Sequence, residues 1–189
     1  MTLTVQLHPS VLLNISDHFT TNKSNNLAII GCLYGKQEGQ SIEIFNSFEL
    51  IVNNNAFDKE FLSSKQKLVQ EMFPNLEFLG WYGLGKFPLE SDLKYHQQLY
   101  HINEFPLFLQ FDPEFPDPKT IPVKIYESVM NPQTAKIEFN EISFKITLFE
   151  AERIALDHIN NSSMSQDKNK VAENLMIQKS IFKLKVRSY

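Results

Sequence analysis

Hydrophobic residues recur along this chain with two periods, and the switches between the periods predict its elements. Leu3, Val5 and Leu7 fall at every second position, as in a strand with one buried face. Pro9 then opens SVLLNISDHF, where Val11, Leu12, Ile15 and Phe19 fall at helical spacing. After the polar turn NKSNN, the near-continuous apolar run LAIIGCLYG suits a strand buried on both faces. SIEIFNSFELIV returns to period two, and KQEGQ supplies the hairpin connection between these strands. In NNNAFDKEFLSSKQKLVQEMFPN, Phe57, Phe61, Leu68 and Met72 are spaced for a helix running from about Asp58 to Phe73. Asp58 and Glu60 lie near its positive end, and Pro74 lies beyond its last turn.

Further on, LEFLGWYGL reads as a strand, SDLKYHQQLYHIN as a helix, and PLFLQFD, IPVKIYESVM and AKIEFNEISFKITL as strands, with a turn at NPQT. Beyond Leu148 the character changes. EAERIALDHI and VAENLMIQKSIFKLKVRSY are helical in pattern, with the polar SSMSQDKNK between them. The expectation is an α/β core domain over residues 1–148 and a helical extension over 149–189. The absence of a capping glycine near Tyr189 suggests a chain cut from a longer protein.

Composition narrows the function. A chain of 189 residues, 42% hydrophobic and 12% aromatic, can bury a substantial core. Its 18 basic and 22 acidic residues give a net charge of −4, with no long basic run to neutralise a phosphate backbone, which argues against nucleic-acid binding. No stretch approaches the ~18 uninterrupted apolar residues of a membrane helix, and the N-terminus lacks the pattern of a secretory leader. The single cysteine, Cys32, lies in an apolar run, where it is expected to be a buried, inert thiol in a reducing compartment. A soluble intracellular protein is expected.

Candidate chemistry is sparse. The five histidines, His8, His18, His96, His101 and His158, fall into no HxH or HExxH arrangement, and a zinc site needs about three converging ligands. His8 and His18, near the ends of the first helix, read as structural or solvated. His96 and His101 are five apart, so they do not share a helix face. Ser91 lies in no GxSxG elbow, and Gly35-Lys36 lies in no phosphate-binding loop. Glu150 and Glu152 sit where carboxylates favour a helix start. The stretch GWYGLGKFPLESDLK, at residues 80–94, stands apart: a strand delivers a loop to a site that carries no obvious reactive group.

VQLHPSVLLNISDHF, IIGCLYGKQEGQSIEIFNSFEL, LEFLGWY, FPLFLQFD, IYESV and EAERIALDHI, in that order, resemble the MPN domain family from about Val5 to Arg187. The resemblance implies a central curved mixed sheet flanked by helices, followed by C-terminal helices used in assembly. The GKQEG turn with IEIFNSFEL is most similar to the subunit 6 branch found in the COP9 signalosome. Active members, the JAMM metalloproteases, follow the GWY-type strand with a HxH pair, a serine and, three residues later, an aspartate. A glutamate on an earlier strand is their general base. By this resemblance Gly83 and Gly85 stand at the two histidine positions and Ala28 at the base. Ser91 matches the serine and Lys94 the aspartate, with Asp92 as the counterpart if the register slips. No catalytic, cofactor-binding or metal-binding residue is then expected.

The resemblance implies a non-catalytic scaffold subunit, cytoplasmic and nuclear. It would pair with the active JAMM subunit, which removes the modifier NEDD8 from cullins, and would reach other signalosome subunits through its C-terminal helices. Val11, Ile15, Phe19, Leu68 and Met72, on the outer faces of the first two helices, are the expected contact residues, with burial in the core as the alternative. In isolation the same faces would support a homodimer. The rival assemblies are the proteasome lid and translation initiation factor 3. A module binding a ubiquitin-like protein through Trp81 or Phe87 is a further alternative, as is an unorthodox enzyme using Asp92, His96 or His101.

Overall fold

The structure, a computed structural model, describes residues 3–25, 28–114, 121–133 and 136–148. The elements in chain order are β1 (Thr4–Leu7), α1 (Pro9–Asn22) with a 3₁₀ turn at Lys23–Asn25, β2 (Gly31–Glu38), β3 (Ser41–Glu49), β4 (Val52–Asn53), β5 (Ala56–Phe57), α2 (Lys59–Met72), β6 (Glu77–Leu84), α3 (Glu90–Gln98), β7 (Leu107–Phe111), β8 (Val123–Met130), β9 (Ile137–Ile142) and β10 (Phe144–Ile146). The predicted helices over residues 149–189 lie outside the described residues.

Local chemistry sets the boundaries. Pro9 occupies the first turn of α1, where no amide partner is needed. The Asp58 carboxylate caps α2 by accepting from the Phe61 amide at 3.0 Å. Gly39, with φ of 62°, makes the turn between β2 and β3, so Lys36–Glu38 continue the strand rather than belonging to the connection. Asn54 and Asn55, with φ of 51° and 61°, turn the small β4–β5 hairpin. Phe57 therefore belongs to β5 and not to the second helix. The third helix stops at Gln98, short of the predicted Asn103. There the Asn103 side chain donates to the Phe78 carbonyl and accepts from the Phe105 amide, which holds the chain in a turn.

One eight-stranded sheet has the order β10-β1-β3-β2-β6-β7-β8-β9. The β1–β10, β1–β3 and β6–β7 pairs are parallel and the other four antiparallel. AKIEFNEISFKITL, expected as one strand, is two, and they lie at opposite edges of the sheet. Only Ser143 separates Ile142 of β9 from Phe144 of β10, a span of roughly 7 Å for an extended chain. Two edges joined by one residue must lie close together, so the sheet is rolled towards a barrel.

The roll divides the core in two. Inside it, residues from β1, β2, β3, β6, β7 and β8 pack against Val11, Leu12 and Ile15 of α1. Outside it, Trp81, Phe108 and Tyr126 pack with Leu62 and Val69 of α2 and Leu99 after α3. This corrects the expected contact surface: Val11 and Ile15 are fully buried because α1 seats its apolar stripe inside the roll. Phe19 is partly buried, edge-on to Phe111. Leu68 and Met72 are 45% and 60% exposed, since α2 buries Leu62 and Val69 instead.

Candidate functional site

Antiparallel pairing of β2 with β6 sets Gly31 opposite Tyr82, so the segment before β2 and the segment after β6 reach the same end of the sheet. Ala28, Gly83, Gly85 and the first turn of α3 all belong to that end. Parallel pairing of β6 with β7 adds Gln110, in register with Gly83. These residues form the site that the sequence pointed to.

Neither of its two glycines leaves free room for a side chain. A Cβ on Gly83 would come within 3.3 Å of Trp81 Cζ3 and 3.5 Å of Phe108 Cε2. Gly85 has φ of 147°, a conformation essentially reserved for glycine, and a Cβ there would meet Gln110 Nε2 at 2.7 Å. Its amide donates to the Phe111 carbonyl at 3.0 Å, which pins the strand end. Beyond it the loop exposes Phe87, whose ring lies 5.4 Å from Lys124 Nζ.

The side chains with reactive potential near this end are committed elsewhere. Asp92 accepts from the Leu89 amide at 2.7 Å, one half of a capping box for α3. Burial raises its carboxyl pKa, and the Leu89 hydrogen bond opposes that shift. Trp81 Nε1 donates to His96 Nδ1 at 2.9 Å, which places the His96 proton on Nε2. Burial lowers the His96 pKa to about 4, so the ring is neutral at pH 7. Its remaining N–H has no hydrogen-bond acceptor among the described residues, but the ring stands edge-on to Phe139 and Tyr100, with centroids at 4.9 and 5.3 Å. His101 is exposed in the turn after α3, so the two histidines do not converge.

Zinc does not fit this arrangement. Gly83 and Gly85 offer no donor, Lys94 is an exposed cation, and Asp92 caps its helix. Among the described residues no group of three or more His, Cys, Asp or Glu is assembled for a metal. Were Asp92 a ligand, its loss would alter metal affinity. As a cap, Asp92→Ala is expected to cost about 1 kcal/mol of stability, read by urea denaturation, with the zinc content of the purified protein unchanged.

Away from this loop, His18 Nδ1 lies 2.8 Å from the Tyr82 hydroxyl and Nε2 lies 3.4 Å from Glu49. Burial raises the Tyr82 pKa and lowers that of His18, with Glu49 opposing the latter. The neutral pair therefore runs from the Tyr82 O–H to Nδ1, with the Nε2–H facing the carboxylate. His8 sits 2.8 Å from Glu43 and stacks on Phe45, a structural role like the one its position suggested. Cys32 is buried and its pKa is pushed far up, so no thiolate is available. Sequence reasoning missed Gln110, although a lone polar residue inside the apolar strand LFLQF was a signal for it.

Known proteins share this pattern of sequence. Residues 1–104 match the family profile described as JAB1/Mov34/MPN/PAD-1 ubiquitin protease. COP9 signalosome complex subunit 6 of Drosophila melanogaster is 35% identical over 193 residues, covering 96% of this chain and 57% of that protein. Subunit 6b of Arabidopsis thaliana is 39% identical, covering 83% and 58%. Subunit 6 of Dictyostelium discoideum is 40% identical, covering 83% and 53%. The chain thus spans little more than half the length of these relatives.

Proposed function

Because the chain belongs to the JAB1/Mov34/MPN/PAD-1 ubiquitin protease family, we propose that it is a non-catalytic member, acting as a scaffold subunit of the COP9 signalosome. The observation that carries this reading is the pair of glycines, Gly83 and Gly85, at the family's two histidine positions, with no free room for a side chain at either. Histidines there would supply two of the ligands that hold zinc and activate its water for isopeptide hydrolysis. Glycine supplies none, and Ala28 at the base position accepts no proton. The likeness to subunit 6 proteins from fly, plant and slime mould supports the assembly.

In this role the chain positions a zinc-dependent JAMM partner, which removes NEDD8 from cullins in the cytoplasm and nucleus. The exposed Leu68 and Met72 of α2 are the proposed contact. Met72 also lines a groove of about 640 Å³ in which Phe45, Phe73, Pro74 and Leu76 are joined by polar residues, Lys36 and Asn14 among them. The extension over 149–189 serves for bundling with other subunits. Residues 168–189 carry six Lys or Arg and a single Glu, a charge unlike that of the acidic remainder.

The test is a pull-down of the tagged full-length protein from its own cells, with the co-purifying chains identified by mass spectrometry. Signalosome subunits including a JAMM member are expected, and proteasomal or initiation-factor chains in their place would reject the assembly. Met72→Asp places a charge in the apolar contact and is expected to weaken recovery of the JAMM partner at least about tenfold, without altering the melting temperature. Unchanged recovery would remove α2 from the interface.

A further inference from the structure

We infer that the emptied metal site is shut by the side chain of Gln110, so that restoring its ligands alone does not restore the metal. The inference rests on the reading of Gly83 and Gly85 as the family's histidine positions. Its geometry does not.

Gln110 is 2% exposed and faces Gly83 in register on the neighbouring parallel strand. Its Nε2 and Cδ lie 2.7 and 3.5 Å from where a Cβ on Gly85 would stand. The Cβ of a histidine at position 85 already overlaps the carboxamide, so the substitution requires Gln110 to move. The end of a glutamine is normally free to swing aside. Here Gln110 and the rest of β7 are buried, so swinging the carboxamide aside means repacking its neighbours. At Gly83 there is room for a Cβ in tight contact with Trp81 and Phe108, so Gly85 is the position that Gln110 closes.

Gln110 also fills this space at a cost to the fold. Neither Oε1 nor Nε2 has a hydrogen-bond partner among the described residues, and a buried amide left unpaired destabilises more than an apolar group of the same shape. Packing alone would be served better by leucine. The carboxamide therefore acts as a plug held in place by packing, with no hydrogen bond from the described residues.

Two measurements test this. In the first, the three ligand positions are restored together, as Gly83→His, Gly85→His and Lys94→Asp, either with Gln110 retained or with Gln110→Ala added. Zinc binding to the purified proteins is then measured by titration calorimetry. Retention of Gln110 is expected to hold zinc affinity at least tenfold below that of the variant with Gln110→Ala. Equal, measurable affinity in both overturns the plug. If neither binds zinc although both fold, the assignment of the ligand positions fails, and the second measurement decides the plug without it. That measurement is a thermal double-mutant cycle. Gly85→Ala lowers the melting temperature, and the loss is expected to be at least halved in the Gln110→Ala background. A loss of the same size in both backgrounds would trace the penalty to the φ of Gly85 alone and would overturn the inference.

Discussion

Gly80→Ala is expected to leave little folded protein under conditions where the wild type is fully folded. Gly80 is paired with Leu107 across the parallel β6–β7 ladder and with Leu33 on the other side, at the centre of the sheet. A Cβ there would run into the Leu107 carbonyl oxygen, and would lie 2.6 Å from its nitrogen and 2.8 Å from its carbonyl carbon. These are backbone atoms, so no rotamer change relieves the contact. The strands must part, and with them the aromatic layer that Trp81 and Phe108 form by stacking at 4.1 Å. A cost above about 4 kcal/mol is expected, a large part of the roughly 5–15 kcal/mol that holds an ordinary domain together. Urea denaturation followed by tryptophan fluorescence reads it directly. Gly39→Ala is the control: that residue has positive φ, but nothing lies within 4 Å of its missing Cβ. Its loss should stay near about 1 kcal/mol. Similar midpoints for the two variants would show that β6 and β7 are not clamped as tightly as their spacing implies.

Elements with one face in water and one in the core were legible in the sequence. Period-two and period-3.6 patterns placed β1 and α2 within a residue or two, and β3 and α1 within three, for that reason. The β9–β10 break was not legible, since residues on both sides of Ser143 alternate alike and only the rolled sheet sends them to opposite edges. The β4–β5 hairpin was legible in principle, in two consecutive asparagines able to take positive φ. At the candidate site, the family pattern located Gly83 and Gly85 by their spacing from Trp81. It did not reveal why neither has room for a side chain, because that depends on Phe108 at Gly83 and Gln110 at Gly85, both brought alongside by the parallel β6–β7 pairing. The placement of Val11 and Ile15 on a contact face failed for a related reason. An amphipathic stripe announces that it will be covered, and does not say whether by its own sheet or by a partner.

Acidification from pH 6.5 to pH 4 is expected to remove about 3 kcal/mol of stability through His96 alone. In the unfolded chain the imidazole takes a proton near pH 6.5, whereas in the fold burial holds its pKa down to about 4. Between those values the unfolded state binds a proton that the native state refuses. Stability is therefore full above pH 6.5, falls by about 1.4 kcal/mol per unit as the pH drops, and levels off below pH 4. Protonation in the fold would also set a second donor against the Trp81 N–H, breaking the 2.9 Å bond that ties α3 to β6. His18, also depressed by burial, adds to the loss, while Asp92, whose carboxyl is raised by burial, acts in the opposite sense. His96→Asn isolates the main contribution, because its Oδ1 can accept from Trp81 without titrating in this range. Urea unfolding free energies measured across the window should fall less steeply in this variant, by up to one bound proton. Parallel pH profiles for the two proteins would mean that His96 is protonated in the native state as readily as in the unfolded chain, and that the Trp81–His96 bond is not what holds α3 on the sheet.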